Sequence, residues 1–177
     1  MTLVGRVAAH LDAARVRFAV IGAAAMAVHG ISRSTFDIDL LAMDDRVLDG
    51  AFWTAFAAGV QVDVRRGDDD DPLAGAIRLT AAAARDVDIV VGRSAWQQDL
   101  LARALRADID GTNLPVVTLE GLVLLKLYAG GSQDVWDLEQ LLVTGDRDRL
   151  LTAVDAVIDG LPDASRELWE RLKSSTS

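Results

Sequence analysis

The chain has 177 residues, 51% of them apolar, with a net charge of −9, three prolines, two histidines and no cysteine. Without cysteine there is no disulfide framework and no thiolate metal site, and two isolated histidines cannot build a His-rich zinc centre. An acidic chain also lacks the broad basic footprint of a protein that grips long nucleic acid, so no extended nucleic-acid groove is expected. Leu3 to Val16 places apolar residues at helical spacing and reads as an amphipathic helix. Phe18 to Ile21 is a short buried strand, and the alanine-rich Gly22 to Val28 is a helix that stops at Gly30. Asp37 to Ala42 is the second strand. Asp44 and Asp45 favour a helix start, and that helix is expected to reach about Ala58 with Phe52, Trp53 and Phe56 buried. Val60 to Arg66 alternates as a strand, Gly67 to Gly75 is an acidic loop, and Ala76 to Ala81 and Val87 to Val91 are further strands. Ser94 caps a helix expected to run through Ala107. After Pro115 the texture changes. Thr118, with Glu120 nearby, opens a helix, and Gln133 to Leu142, Asp148 to Ile158 and Ser165 to Lys173 form three more.

Strands crowd the first part of the chain and helices fill the last, which predicts an α+β fold with a mixed sheet flanked by helices. The expected division is a core over 1–117 and a C-terminal helical annex over 118–177. Charge is unevenly placed: residues 1–67 carry seven arginines and seven aspartates, and the remaining 11 basic and 20 acidic residues supply the whole excess. The opening segment enters a helical pattern with no basic-then-apolar leader, and no apolar run approaches 18 residues. A soluble, cytoplasmic protein is the expectation.

The residues with chemistry centre on Phe36-Asp37-Ile38-Asp39-Leu40. Two aspartates two apart on a strand send both carboxylates to one face, while Phe36, Ile38 and Leu40 are expected to face the core. Two such anions, roughly 6–7 Å apart, repel each other and both gain from a divalent cation between them. Gly22 stands upstream where a strand ends and a helix begins, a place for phosphate oxygens to meet backbone N–H groups. A phosphate cradle beside paired acids suggests phosphoryl or nucleotidyl transfer. Such sites use a third carboxylate from a neighbouring strand, and Asp86-Val87-Asp88-Ile89 offers two. Asp88 lies within the apolar run and is the preferred candidate, while Asp86 at the strand mouth has solvation as its simpler explanation.

Gly22-Ala23-Ala24, followed by Arg33, Thr35, Asp37, Ile38 and Asp39, resembles the nucleotidyltransferase superfamily of DNA polymerase beta. Val87-Asp88-Ile89-Val90 fits that family's third-acid strand. Leu125-Lys126-Leu127-Tyr128-Ala129-Gly130 with Asp134 and Asp137 resembles the helical signature of the AbiEii-like toxin branch of bacterial toxin–antitoxin and phage-defence loci. The resemblance implies a nucleotidyltransferase sheet, two Mg²⁺ ions and a nucleoside triphosphate donor. It further implies Asp37, Asp39 and Asp88 as catalytic metal ligands, and Gly22, Ala23, Arg33, Thr35 and Lys126 as contacts of the triphosphate. The implied partners are a tRNA end or protein hydroxyl as acceptor and a cognate antitoxin. One departure stands out. The family has Gly-Gly or Gly-Ser at the turn, whereas Gly22-Ala23 offers only a backbone N–H there. An antibiotic-modifying transferase of small-molecule hydroxyls, and a degenerate relative that binds nucleotide or a partner without turnover, are the rival readings.

Other residues carry simpler expectations. Arg33 suits a triphosphate or, without metal, the neighbouring aspartates. Lys126 sits in an apolar helix and either snorkels to solvent or points at a site, with Asp134 and Asp137 placed to hold it or the substrate. Asp68 to Asp71 read as a solvated turn. His29 reads as a helix-end residue, His10 as exposed, and Trp53, Trp96, Trp136 and Trp169 as core.

Overall fold

The computed structural model describes residues 1–31, 35–56, 58–144 and 146–175. Contacts divide the chain into two compact units, Met1–Val28 with Ser32–Val117, and His29–Ile31 with Thr118–Ser177. Among its described residues the first unit holds seven strands: β1 (Phe18–Val20), β2 (Asp37–Ala42), β3 (Gln61–Arg66), β4 (Leu73–Thr80), β5 (Asp86–Gly92), β6 (Leu105–Ile109) and β7 (Thr112–Val116). They form one mixed sheet in the order β3-β4-β5-β2-β1-β7-β6. Strand β2 runs parallel to β5 and antiparallel to β1, while β4 is antiparallel to both β3 and β5. Among its described residues, this unit has three α-helices: α1 (Leu3–Ala13), α2 (Gly22–Val28) and α3 (Ala95–Ala102).

Alternation drives the sheet. Ile38, Leu40, Ile77, Leu79, Val87 and Ile89 are at most 1% exposed, and burying each side chain contributes about 1.5–3 kcal/mol. In register, Ile77 lies beside Ile89 and Leu79 beside Val87, while Ile38 lies beside Val87 and Leu40 beside Ile89. One apolar face therefore runs across β4, β5 and β2. A one-residue slip of any strand would turn this face toward water, so the register follows from hydrophobic burial. Phe36 departs from expectation: it precedes β2 and is 91% exposed. The alternation that buries Ile38 and Leu40 begins only where the strand does.

Five other expectations change. The helix expected from Asp44 to Ala58 is instead two 3₁₀ segments, Asp45–Leu48 and Gly50–Phe56. Asp44 caps the first through the Arg46 N–H, and the Asp49 carboxylate accepts from the Ala51 N–H, restarting the chain there. Strand β4 begins at Leu73, so the acidic loop is shorter than the sequence suggests. The helix after Ser94 ends at Ala102 rather than Ala107, and residues 105–116 form the β6–β7 hairpin. Asp110 and Gly111 turn that hairpin at φ +50° and +76°, the Asp-Gly chemistry that two-residue hairpin turns require. His10 is not a bare surface residue. Its Nε2 lies 2.8 Å from the Phe52 carbonyl, and its ring packs on Phe52, Trp53 and Phe56. Of the four tryptophans, Trp53 and Trp169 are core, whereas Trp136 is 47% exposed and Trp96 half-buried.

The second unit consists of α4 (Leu119–Ala129), α5 (Ser132–Thr144), α6 (Arg147–Asp155) and α7 (Asp163–Ser175), with α4 packed on the other three. Thr118 caps α4 through the Gly121 N–H, and Gly130 ends it in the left-handed region. Leu122, Val123, Leu127, Leu138, Leu141 and Trp169 make the core. No helix among the described residues is long and apolar enough to cross a membrane.

Candidate active site

The face of the sheet opposite the apolar one is charged. Parallel pairing sets Asp37 beside Asp86 and Asp39 beside Asp88. Paired residues of adjacent strands share a face, so four carboxylates from two strands point the same way. Across the next pairing, Arg78 of β4 lies beside Asp88, and Asp63 of β3 lies beside Arg78. The guanidinium of Arg78 reaches Asp86 at 3.2 Å, Asp88 at 3.7 Å and Asp37 at 4.0 Å. Asp39, Asp63, Arg65, Arg78 and Asp88 line a shallow cleft of about 310 Å³ on this face.

Electrostatics follow from that crowding. Burial pushes the Asp88 carboxyl above its ordinary range, Arg78 opposes this, and the charges of Asp37 and Asp86 push the same way as burial. The outcome is upward, with burial the leading cause. Arg78 is held more firmly in its charged form by its hydrogen bond to Asp86 and by the charge of Asp88. Among the described residues, no three ligating side chains converge on one point as they stand. The donor chemistry nevertheless suits a hard divalent cation, since the ligands are carboxylate oxygens on a single face and the cation now among them is a side chain.

Neighbouring residues fix the two aspartates of β2. The Thr35 hydroxyl donates to Asp37 Oδ1 at 2.5 Å, and Arg85 donates to the Asp37 carbonyl at 3.0 Å while gripping both Asp110 oxygens at 3.1 Å. Arg85 thereby ties the mouth of β2 to the β6–β7 turn. Gly22 opens α2 at φ +62°, and a Cβ there would overlap the Asp39 carboxylate. Only glycine meets both conditions, the left-handed backbone and the close approach. The Ile21 N–H donates to the Asp39 carbonyl at 2.9 Å, which holds this turn against β2. Ala23 is buried within α2. Ala23 and Thr35 line a second cleft of about 700 Å³ with the exposed Phe36, Arg85 and Asp108.

Gly22, Thr35, Asp37, Asp39 and Asp88 thus lie on adjoining parts of the first unit. Arg33, with its neighbours Ser32 and Ser34, lies outside the described residues. Lys126 belongs to α4 of the second unit, where its ammonium is 2.8 Å from Asp134 and 2.7 Å from Asp137. Burial disfavours its charge, but the hydrogen bonds and charges of both carboxylates raise its pKa overall. Sequence reasoning missed Arg78 and Arg85. For Arg78 a signal existed: a charge between Ile77 and Leu79 repeats the pattern that singled out Asp88 between Val87 and Ile89.

Residues 1–174 match the family described as nucleotidyl transferase of unknown function (DUF2204), and the chain belongs to that family. Among solved structures the fold is similar to that of the antibiotic-resistance factor ANT(2'')-Ia. Its solution structure has a TM-score of 0.57 at 13% identity, covering 89% of this chain and 90% of that one. A crystal structure of ANT(2'')-Ia with adenylyl-2''-tobramycin gives 0.57 and 13%, covering 89% and 95%. A Thermotoga maritima protein assigned as a nucleotidyltransferase gives 0.51 at 18% identity, covering 81% and 92%. No curated protein matches the sequence. Family and fold together make this chain a nucleotidyltransferase, built as a mixed seven-stranded sheet flanked by helices.

Proposed function

We propose that the chain moves a nucleoside monophosphate from a nucleoside triphosphate to an acceptor hydroxyl at the acidic face of β2 and β5. The observation that carries this reading is the register that sets Asp39 beside Asp88, with Asp37 on the same face two residues away. Asp37, Asp39 and Asp88 are the proposed ligands of divalent metal, Mg²⁺ with two ions, and Asp86 is the alternative third acid. A bound cation would neutralise triphosphate charge and favour loss of the acceptor proton. The protein's own part is positional. Gly22 leaves room for the Asp39 carboxylate, Thr35 orients Asp37, and Arg85 anchors the strand that carries both. We assign the core to 1–117 and a helical subdomain to 118–177. The ion pairs of Lys126 within its own unit support a structural role for it rather than the triphosphate contact that the resemblance implies.

For the acceptor, the resemblance of Leu125–Gly130 with Asp134 and Asp137 to AbiEii-like toxins supports a toxin-like component. It would act on a tRNA end or a protein hydroxyl beside a cognate antitoxin, in the cytoplasm. The charge of the site favours a second reading. Among the described residues this face carries Asp37, Asp39, Asp63, Asp86 and Asp88 against Arg65 and Arg78, an acidic balance that suits a cationic small acceptor better than a polyanion, and one similar structure is a complex with adenylyl-2''-tobramycin. Incubation with each labelled triphosphate, Mg²⁺, and in turn tRNA, a cell protein fraction or tobramycin separates these. The acceptor is whichever species gains the mass of a nucleoside monophosphate. Transfer by Asp39→Ala at the wild-type rate would overturn the site assignment.

A further inference from the structure

Arg78 sits where the acids need a cation, and no motif assigned it a role. Its guanidinium is within 4.0 Å of Asp37, Asp86 and Asp88, carboxylates that come from both strands of the proposed metal site. Position 78 projects onto this face because β4 alternates, with Ile77 and Leu79 fully buried on the other side. A residue at this position has no packing reason to be charged, and any small polar residue would satisfy the strand. It lies directly beside Asp88 in the register, and its guanidinium is 3.7 Å from that carboxylate. Without a cation the two strands would bring like charges together in a half-buried setting, which opposes the pairing that builds the sheet.

We infer that Arg78 is the built-in counter-ion of the metal-free protein, and that it competes with divalent metal for Asp37, Asp86 and Asp88. This rests on the metal-site reading above and adds a residue to it. A divalent ion and a guanidinium repel each other and need overlapping oxygen lone pairs, so the ion enters only as Arg78 withdraws. The side chain has room to do so: it is 52% exposed, and it borders the open cleft lined by Asp63 and Arg65. Arg78 keeps the acidic strands paired before metal arrives and weakens metal binding by the strength of the contacts it must give up.

Calorimetric titration of Mn²⁺ into the full chain tests this, with wild type beside Arg78→Gln, Arg78→Lys and the remote control Arg46→Gln. Arg78→Gln is expected to bind Mn²⁺ about tenfold more tightly, equivalent to about 1.4 kcal/mol. It is also expected to melt at a lower temperature without metal and to recover at saturating Mn²⁺. Arg78→Lys retains the charge and stays near wild type, as does Arg46→Gln. Equal or weaker binding by Arg78→Gln overturns the competition while leaving the metal site in place. Absence of binding in wild type and every variant overturns the metal site itself, and the competition with it. Should Arg78→Gln fail to fold, the wild-type Arg78 side-chain NMR signal decides. It should shift as Mg²⁺ is added and saturate with binding, and an unmoved signal at saturation overturns the inference.

Discussion

Two clusters, one in each unit, set a single basic side chain among aspartates to opposite ends. In the second unit Lys126 meets Asp134 and Asp137 with side chains 13%, 19% and 0% exposed. In the first, Arg78 meets Asp37, Asp86 and Asp88, which are 36%, 32% and 27% exposed, and is itself 52% exposed. The helical cluster is tight, with bonds of 2.8 and 2.7 Å, whereas the sheet cluster is loose, at 3.2 to 4.0 Å. The difference separates a closed charge cluster from the one proposed as the site. Buried charges with short contacts are held firmly and lose heavily if one member goes. Half-exposed acids that share a guanidinium at longer range are held less firmly and remain able to take another cation.

The largest expected effect breaks the contrast on the sheet side. Asp39→Ala should lower nucleotidyl transfer by roughly 10³-fold, as loss of a transition-state stabilising group does, while the thermal midpoint barely moves. Measured rate and melting curve together check this, and a parallel fall in both would make Asp39 structural. Next comes the closed cluster. Lys126→Met leaves two carboxylates in a dry setting and should cost about 3–5 kcal/mol in urea unfolding. Because folding raises the Lys126 pKa, its contribution is fully present below the ordinary value of 10.5. It is lost as pH rises through the higher folded value. The stability gap between wild type and Lys126→Met should therefore stay constant at neutral pH and narrow only in strong alkali. A gap that narrows near pH 7 would mean that other groups carry it.

Gly22→Ala sharpens the site further. Its left-handed backbone costs about 1–2 kcal/mol for a residue with a Cβ, and the new methyl would displace the Asp39 carboxylate. Activity should drop far more than that stability loss alone would explain, which paired kinetics and denaturation would reveal. The smallest effect concerns Asp88. Its raised pKa means that the ionised form opposes folding, in full above the folded value and not at all below the ordinary 3.8. Asp88→Asn should accordingly raise the metal-free thermal midpoint slightly at pH 7 and lose that advantage in acid. A lower midpoint at pH 7 would show that the contact with Arg78 outweighs burial and repulsion.

Much of the acidic site was legible because strand alternation is local. Asp37 and Asp39 must share a face if Ile38 is buried, and a charge between Val87 and Ile89 must lie on the face opposite those two. Phe36 escaped that logic because it lies before the strand begins. The β6–β7 hairpin was hidden behind apolar spacing that continued past Ala102, although Asp110-Gly111 carried its turn signal. Arg78 was overlooked because a lone arginine in a strand has an ordinary explanation as solvated charge. Only its neighbours remove that explanation.

Composition, alternation and turn chemistry by themselves decided the α+β class, the buried faces of the strands and the pairing of Asp37 with Asp39, all of which follow from torsions and hydrophobic periods along a few residues. Register across strands brought Asp39 beside Asp88 and placed Arg78 among three acids. Packing in the helical unit likewise turned Lys126 toward Asp134 and Asp137. Some of these contacts join residues far apart in sequence and others residues only eight apart, but each crosses from one element to another, and they exist only once burial of the apolar faces has chosen a single alignment.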